Sequence, residues 1–104
     1  MGVLYPLLPD GSLNMEEYSY PIDVDWSTDE IIDVVAFFEA VEEAHEEGIA
    51  AVELKEKYRK FKAVVPGKAE EKTVFREFKS NSGLESYAAV KLLKDADDDD
   101  VIRI

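Results

Sequence analysis

The segment WSTDEIIDVVAFFEAVEEAHEEG, residues 26–48, carries the signals of one long helix with both of its ends marked. Ser27 is a favourable N-cap, and Glu30 three residues later completes a capping box. Gly48 is the residue type that most often follows a helix C-terminus, because it adopts the left-handed conformation without a Cβ clash. We therefore predict a helix from residue 28 to about residue 47.

The same segment separates apolar from acidic residues at helical spacing. The predicted core-facing stripe consists of Ile31, Val34, Val35, Phe38 and Val41, flanked by Ile32 and Phe37. The opposite face consists of Asp33, Glu39, Glu43 and Glu47. A helix of this kind buries one wide apolar face against other elements and keeps an acidic face in water.

Three further helices are predicted downstream of this one. We place them at residues 51–64, at residues 68–80 and at residues 84–95. Ser82 and Glu85 form a second possible capping box, which is predicted to start the fourth helix. The predicted inward-facing side chains of that helix are Leu84, Tyr87, Val90 and Leu93.

The segments that flank the helices lack helical periodicity. Residues 18–26 alternate apolar and polar side chains, which favours an extended strap lying across the helices. Residues 1–15 are predicted to be a flexible or loosely docked extension, and residues 95–104 a disordered tail, because consecutive aspartates repel each other. The sequence thus predicts a single domain at residues 16–94. Its fold class is all-α, a small bundle of about four helices with an extended N-terminal strap.

Charge is distributed unevenly along the chain. The net charge is −12 over 104 residues, yet no lysine or arginine precedes Lys55. Residues 55–94 contain eleven of the twelve basic residues. An asymmetry of this kind points to partners rather than to chemistry.

Composition excludes several classes of function. The chain has no cysteine, so disulfides and thiolate metal sites are ruled out and a reducing cytoplasm suits it. We expect no membrane span, because the apolar stretches are far shorter than the roughly 18–20 residues that a span needs. The net negative charge disfavours a general binder of nucleic acid or of anionic membranes.

Three acidic groupings could hold a metal or perform acid–base chemistry, but each has a simpler interpretation. Glu42 and His45 form half of a di-iron ligand set, yet His45 is the only histidine and a favourable helix C-terminal residue. Asp23 and Asp25 fit a solvated cap better than a carboxylate pair. Residues 97–100 lack the glycine and the terminal glutamate of an EF-hand loop. We predict no catalytic, cofactor-binding or metal-binding residues.

The remaining candidate surface is basic. It consists of Lys55, Arg59, Lys62, Lys68 and Lys72. Bases interleaved with aromatics are typical of nucleic-acid binders. However, helical spacing places Tyr58 and Phe61 on the core line with Leu54, where they cannot stack on bases. The pattern favours an unknown protein partner or a second copy, with acidic and basic faces meeting. A nucleic-acid-associated protein using residues 55–79 is the alternative.

Three stretches of the chain resemble a known family. They are YPIDVDWSTDEIIDV at residues 20–34, YRKFK at residues 58–62 with Val65-Pro66, and KAEEK at residues 68–72. Together they are similar to uncharacterised protein family 0223, small acidic proteins of low-GC Gram-positive bacteria, over about residues 16–94. The resemblance implies a small all-α cytoplasmic bacterial protein and implies no activity. We expect a non-enzymatic protein-interaction module of unknown role.

Overall fold

A computed structural model describes residues 20–104 of the chain, and four helices dominate it. The elements in chain order are α1 (Thr28–Glu46), β1 (Ile49–Ala50), α2 (Ala51–Val64), α3 (Lys68–Ser82), α4 (Ser86–Lys94) and β2 (Val101–Ile102). The predicted all-α bundle of about four helices is confirmed. The predicted N-terminal extension, residues 1–15, lies outside the described residues.

The start of α1 has the predicted capping box. The Ser27 hydroxyl accepts a hydrogen bond from the backbone N–H of Glu30 at 3.2 Å, and the Glu30 carboxylate accepts one from the backbone N–H of Ser27 at 2.8 Å. Two of the helix's N-terminal donors, which no backbone carbonyl can reach, are therefore satisfied by side chains. At the other end Gly48 has φ +97°, as the sequence predicts for a residue after a helix terminus.

Substitution of the cap tests how much this local signal contributes. Ser27→Ala should lower the free energy of unfolding by about 1 kcal/mol, because one helix donor loses its acceptor. Ser27→Asp keeps an acceptor at the same place and should unfold at the wild-type urea concentration. Equal losses for both variants would show that the hydroxyl does not act as a cap.

The core is built around aromatic rings. All five phenylalanines are buried, and they come from α1, α2 and α3: Phe37, Phe38, Phe61, Phe75 and Phe78. The Phe37 ring lies 4.7 Å from that of Phe61 and 5.8 Å from that of Phe75, both stacked. Rings at these separations attract each other beyond the area that they bury. The five rings therefore pack α1, α2 and α3 against one another in a single cluster.

The N-terminal strap contacts this cluster through the ring of Tyr20. Tyr20 is buried and stacks on Phe38 and Phe78. Its alternating pattern does not continue to the helix, because the backbone turns at Asp23, whose carbonyl accepts a hydrogen bond from the N–H of Trp26 at 3.1 Å. The extended strap is therefore shorter than predicted.

The prediction of a disordered acidic tail at residues 95–104 is wrong. β2 pairs antiparallel with β1, with Ile49 opposite Ile102 and Ala50 opposite Val101. The Ile102 side chain is only 3% exposed and belongs to the core. The tail's backbone also donates from Ile104 to the carbonyl of Ala44 at 2.9 Å. Repulsion between aspartates is outweighed here by apolar burial and main-chain pairing.

The predicted boundary between the third and fourth helices is also wrong. α3 continues to Ser82, whose hydroxyl donates to the carbonyl of Phe78 at 2.7 Å instead of capping α4. The N-cap of α4 is Glu85, whose carboxylate accepts from the N–H of Tyr87 at 3.3 Å. α4 therefore begins two residues later than predicted, at Ser86.

Two apolar side chains that the sequence places toward the core lie in solvent. Ile32 on α1 is 58% exposed and Tyr87 on α4 is 52% exposed. The wide buried face predicted for α1 reaches Phe37 but does not include Ile32. Both exposed side chains lie on surfaces that carry charged residues.

Candidate functional site

The predicted basic surface divides into two parts in the structure. In the first part each cation has a carboxylate partner: Lys55 with Asp98 at 2.9 Å, Arg59 with Glu56, and Lys62 with Glu71 at 3.0 Å. These partners lie on the tail, on α2 itself and on α3, so none of the ion pairs found within residues 20–104 joins the predicted basic surface to α1. In the second part Lys68 and Lys72 are exposed on α3.

The second part belongs to a groove between α3 and α4 with a volume of about 610 Å³, which we call the basic groove. Five cations line it: Lys68, Lys72, Arg76, Lys79 and Lys94. Two carboxylates, Glu71 and Glu85, lie among them, so the formal balance is five minus two, or +3. This is a local reversal of sign on a chain whose net charge is −12.

Four of the cations form a ladder along a single face of α3. Lys68, Lys72, Arg76 and Lys79 recur at intervals of four, four and three residues. At 1.5 Å per residue the ladder spans about 16.5 Å, and residues at these intervals lie above one another on a helix. We call this row the cation ladder.

The floor of the groove is apolar and contains one half-buried, hydrogen-bonded carboxylate. Phe75 and Val90 are buried there, beside Tyr58 of α2. The Tyr58 hydroxyl donates to Glu71 at 2.8 Å, and Lys62 donates to the other carboxylate oxygen at 3.0 Å. Burial raises the pKa of Tyr58 well above its usual range, and the hydrogen bond to the Glu71 carboxylate raises it further.

This raised pKa predicts a pH dependence of stability that Tyr58 causes. The unfolded tyrosine ionises near pH 10, whereas the folded one holds its proton to higher pH. The contribution of Tyr58 to the free energy of unfolding is therefore complete below about pH 10 and is lost as the pH rises toward the folded pKa. Urea unfolding of wild type and Tyr58→Phe at a series of pH values measures this. The wild-type advantage should shrink above about pH 10; a difference that stays constant would contradict it.

The wall of the groove formed by α4 is partly polar. Glu85 pairs with Lys79 at 3.2 Å while it caps α4. Lys94 lies over the Tyr87 ring, with its Nζ 5.9 Å from the ring centroid. The exposed Tyr87 ring is thereby held against a cation at the rim of the groove.

The acidic candidates have structural contacts. His45 is half-buried, with Nε2 3.3 Å from the carbonyl oxygen of Glu85. Asp23 accepts from the N–H of Asp25 at 2.8 Å within the turn that precedes α1. In the aspartate run, Asp100 accepts from the N–H of Asp97 at 2.8 Å. Across residues 20–104 no three histidine or acidic side chains lie close enough together to form a metal site. Within the same residues, every helix is too short or too polar to span a membrane.

The sequence predicts only part of the groove. Arg76 and Lys79 are included only in the range 55–79 of the nucleic-acid alternative, Lys94 is in neither predicted surface, and Tyr87 is predicted to face the core. The spacing of the four α3 cations was a usable signal for the ladder, since it needs only helix geometry. No comparable signal exists for the positions of Lys94 and Tyr87, because these depend on how α4 packs against α3.

Comparison with known proteins confirms the resemblance. The model of the uncharacterised protein family UPF0223 matches residues 17–102, which extends the predicted match at residues 16–94 to include β2. A UPF0223 protein of Lysinibacillus sphaericus is 57% identical over 88 residues, covering 85% of this chain and 93% of that protein. Those of Staphylococcus saprophyticus and Bacillus pumilus are 51% identical over 82 residues and 49% over 88 residues, covering 79% and 85% of this chain and 89% and 99% of those proteins. The chain therefore belongs to the uncharacterised protein family UPF0223.

Proposed function

We propose that this chain is a non-enzymatic protein-binding module of the cytoplasm, which holds an acidic segment of its partner in the basic groove. One observation supports this most directly. The cation ladder lies beside an apolar floor, on a protein that is otherwise strongly acidic. Charged rims around an apolar floor are how interfaces select an oppositely charged partner and fix its register.

The state of the carboxylates in the groove favours binding over acid–base chemistry. Glu71 already accepts hydrogen bonds from Tyr58 and Lys62. Glu85 already caps α4 and pairs with Lys79. The cations of the groove that form no ion pair with the described residues are Lys68, Lys72, Arg76 and Lys94, and together with the Tyr87 ring they suit recognition of an anion. A cysteine-free chain also suits the cytoplasm that we propose as its location.

A protein partner fits the groove better than nucleic acid does. The net charge of −12 repels a phosphate backbone at long range, whereas a short acidic segment feels mainly the local +3 of the groove. Of the aromatic rings in the groove, Phe75 is buried and Tyr58 is engaged with Glu71. Only Tyr87 presents an exposed ring on which a base could stack.

Site-specific photocrosslinking in bacterial cells tests this proposal. A photoreactive residue replaces Lys72 in the groove, and a matched control replaces Lys60, which is also exposed but lies on α2 outside the groove. We expect discrete protein adducts from position 72 that are absent from position 60. Adding Arg76→Glu to the crosslinking chain should weaken them strongly.

Two results would overturn the proposal. One is the same set of adducts from both positions, which would mean that the groove selects nothing. The other is an adduct at position 72 whose crosslinked molecule is nucleic acid. Nuclease would remove that molecule, and protease would leave it intact. That result would establish the nucleic-acid alternative in place of protein binding.

A further inference from the structure

The outer face of α1 carries an exposed apolar residue. Ile32 is 58% exposed, and it is followed on the same face by Glu39 and Glu43, both exposed. These residues are separated by seven and by four positions, so they share one line along the helix. The line therefore presents one apolar side chain followed by two carboxylates.

The basic groove presents the complementary series in the opposite direction. Lys79 pairs at one end with Glu85, two residues before Tyr87, and Lys72 and Lys68 follow at seven and at a further four residues back along α3. The two series of charged residues therefore share the same offsets, about 10.5 Å and about 16.5 Å from the first residue. An antiparallel α1 would set its two carboxylates beside the two lysines and its apolar residue at the end of the ladder from which α4 begins.

From this match we infer that the occupant of the basic groove is α1 of a second copy of the chain. The inference rests on the proposed function and names the partner. Ile32 of the second copy packs on Tyr87, Glu39 meets Lys72, and Glu43 meets Lys68. It also gives a role to Ile32 and Tyr87, the two apolar side chains that the sequence assigns to the core and the structure leaves in water.

The contact joins two different surfaces, so symmetry decides what assembly it forms. A two-fold axis lets the groove of each copy hold α1 of the other, which closes a dimer with two identical contacts. No ion pair among residues 20–104 competes for its charged contacts, since Lys68, Lys72, Glu39 and Glu43 form no ion pair with one another or with other described residues. Because the aligned charges are exposed, the association must weaken with salt.

Sedimentation equilibrium of the whole chain measures this association. We expect dimers at about 0.01 M ionic strength, where the Debye length is roughly 30 Å, and a clear shift toward monomers at about 1 M, where it is roughly 3 Å. Ile32→Ser should raise the dissociation constant at least about tenfold without changing the melting midpoint, because the side chain is exposed in the monomer. A single-chain mass at every concentration up to about 1 mM in low salt overturns the inference.

Charge exchange provides the sharper test. Glu39→Lys with Glu43→Lys should abolish dimerisation, and so should Lys68→Glu with Lys72→Glu. All four changes in one chain should restore it, because the series are again complementary with their signs reversed. Controls are Glu53→Lys and Lys60→Glu, exposed residues of α2 outside both surfaces, which should leave the dimer intact.

The outcomes separate this inference from the proposed function. If the fourfold exchange stays monomeric while it melts like wild type, α1 is not the occupant. If position 72 also crosslinks only to proteins other than this chain, the groove binds a different acidic partner, so the dimer is overturned and the proposed function stands. If the chain neither dimerises nor crosslinks through the groove, both are overturned.

Discussion

A chain that ends at Asp99 is expected to lose about 3–6 kcal/mol of unfolding free energy, the sum of one buried isoleucine and at least two main-chain hydrogen bonds. Single domains of this size are stable by only about 5–15 kcal/mol. The shortened chain should therefore lose a large share of its stability and unfold at a clearly lower urea concentration than the full chain. Urea unfolding followed by circular dichroism measures the change.

The reason lies in what the last five residues do at the ends of two helices. The Asp100 carbonyl accepts from the N–H of Ala51, the first residue of α2, at 2.8 Å. Ala50, the N-cap of α2, has no side-chain acceptor and offers that helix no cap. At the C-terminus of α1 the N–H of Ile104 and the guanidinium of Arg103 bind carbonyls that the helix leaves without a partner. The tail thus completes two helix ends at once.

A pair of point substitutions separates the tail's packing from its backbone. Ile102→Ala, on the inner face of β2, should cost about 2–5 kcal/mol, as for other buried isoleucines. Val101→Ala, its neighbour on the outer face and 63% exposed, should change stability by no more than about 0.5 kcal/mol. If removal of residues 100–104 leaves the urea midpoint unchanged, the strand pair is not part of the stable fold.

The correctly predicted elements depend on residues that are close together in the chain, whereas the wrongly predicted tail depends on residues that are far apart. The capping box of Ser27 and Glu30 is read from four consecutive residues, and both of its hydrogen bonds form as predicted. The pairing of Ile102 with Ile49 joins residues about half the chain apart, and the sequence of the tail alone contains only its charges. An acidic composition predicts solvation, but it does not reveal a partner strand elsewhere.

The candidate site shows the same limit at closer range. Helical spacing is enough to place the cation ladder on one face of α3. It is not enough to place Tyr87, because which face of α4 is buried depends on how that helix packs against its neighbours. In the structure Ser86, Ala89, Val90 and Leu93 are buried, and Tyr87 is left exposed at the groove.

On α1, truncation of Phe37 is expected to lower the free energy of unfolding strongly, whereas truncation of Ile32 is expected to leave it nearly unchanged. Phe37→Ala should cost about 3–5 kcal/mol, because it removes a fully buried ring and leaves a cavity that the bundle can only partly fill. The ring touches α2 and α3 together, with centroids 5.6 Å from Tyr58, 4.7 Å from Phe61 and 5.8 Å from Phe75. Its loss therefore weakens two helix contacts at once.

The matched change on the same helix is Ile32→Ala, which should alter stability by no more than about 0.5 kcal/mol in high salt, where the monomer is the reference state. Both variants remove an apolar side chain from α1, so the contrast depends only on which face it lies on. Urea unfolding at about 1 M salt gives both values under conditions that suppress self-association. If Ile32→Ala costs as much as Phe37→Ala there, Ile32 belongs to the core of the single chain, and the apolar residue that we assign to the dimer contact is not available for it.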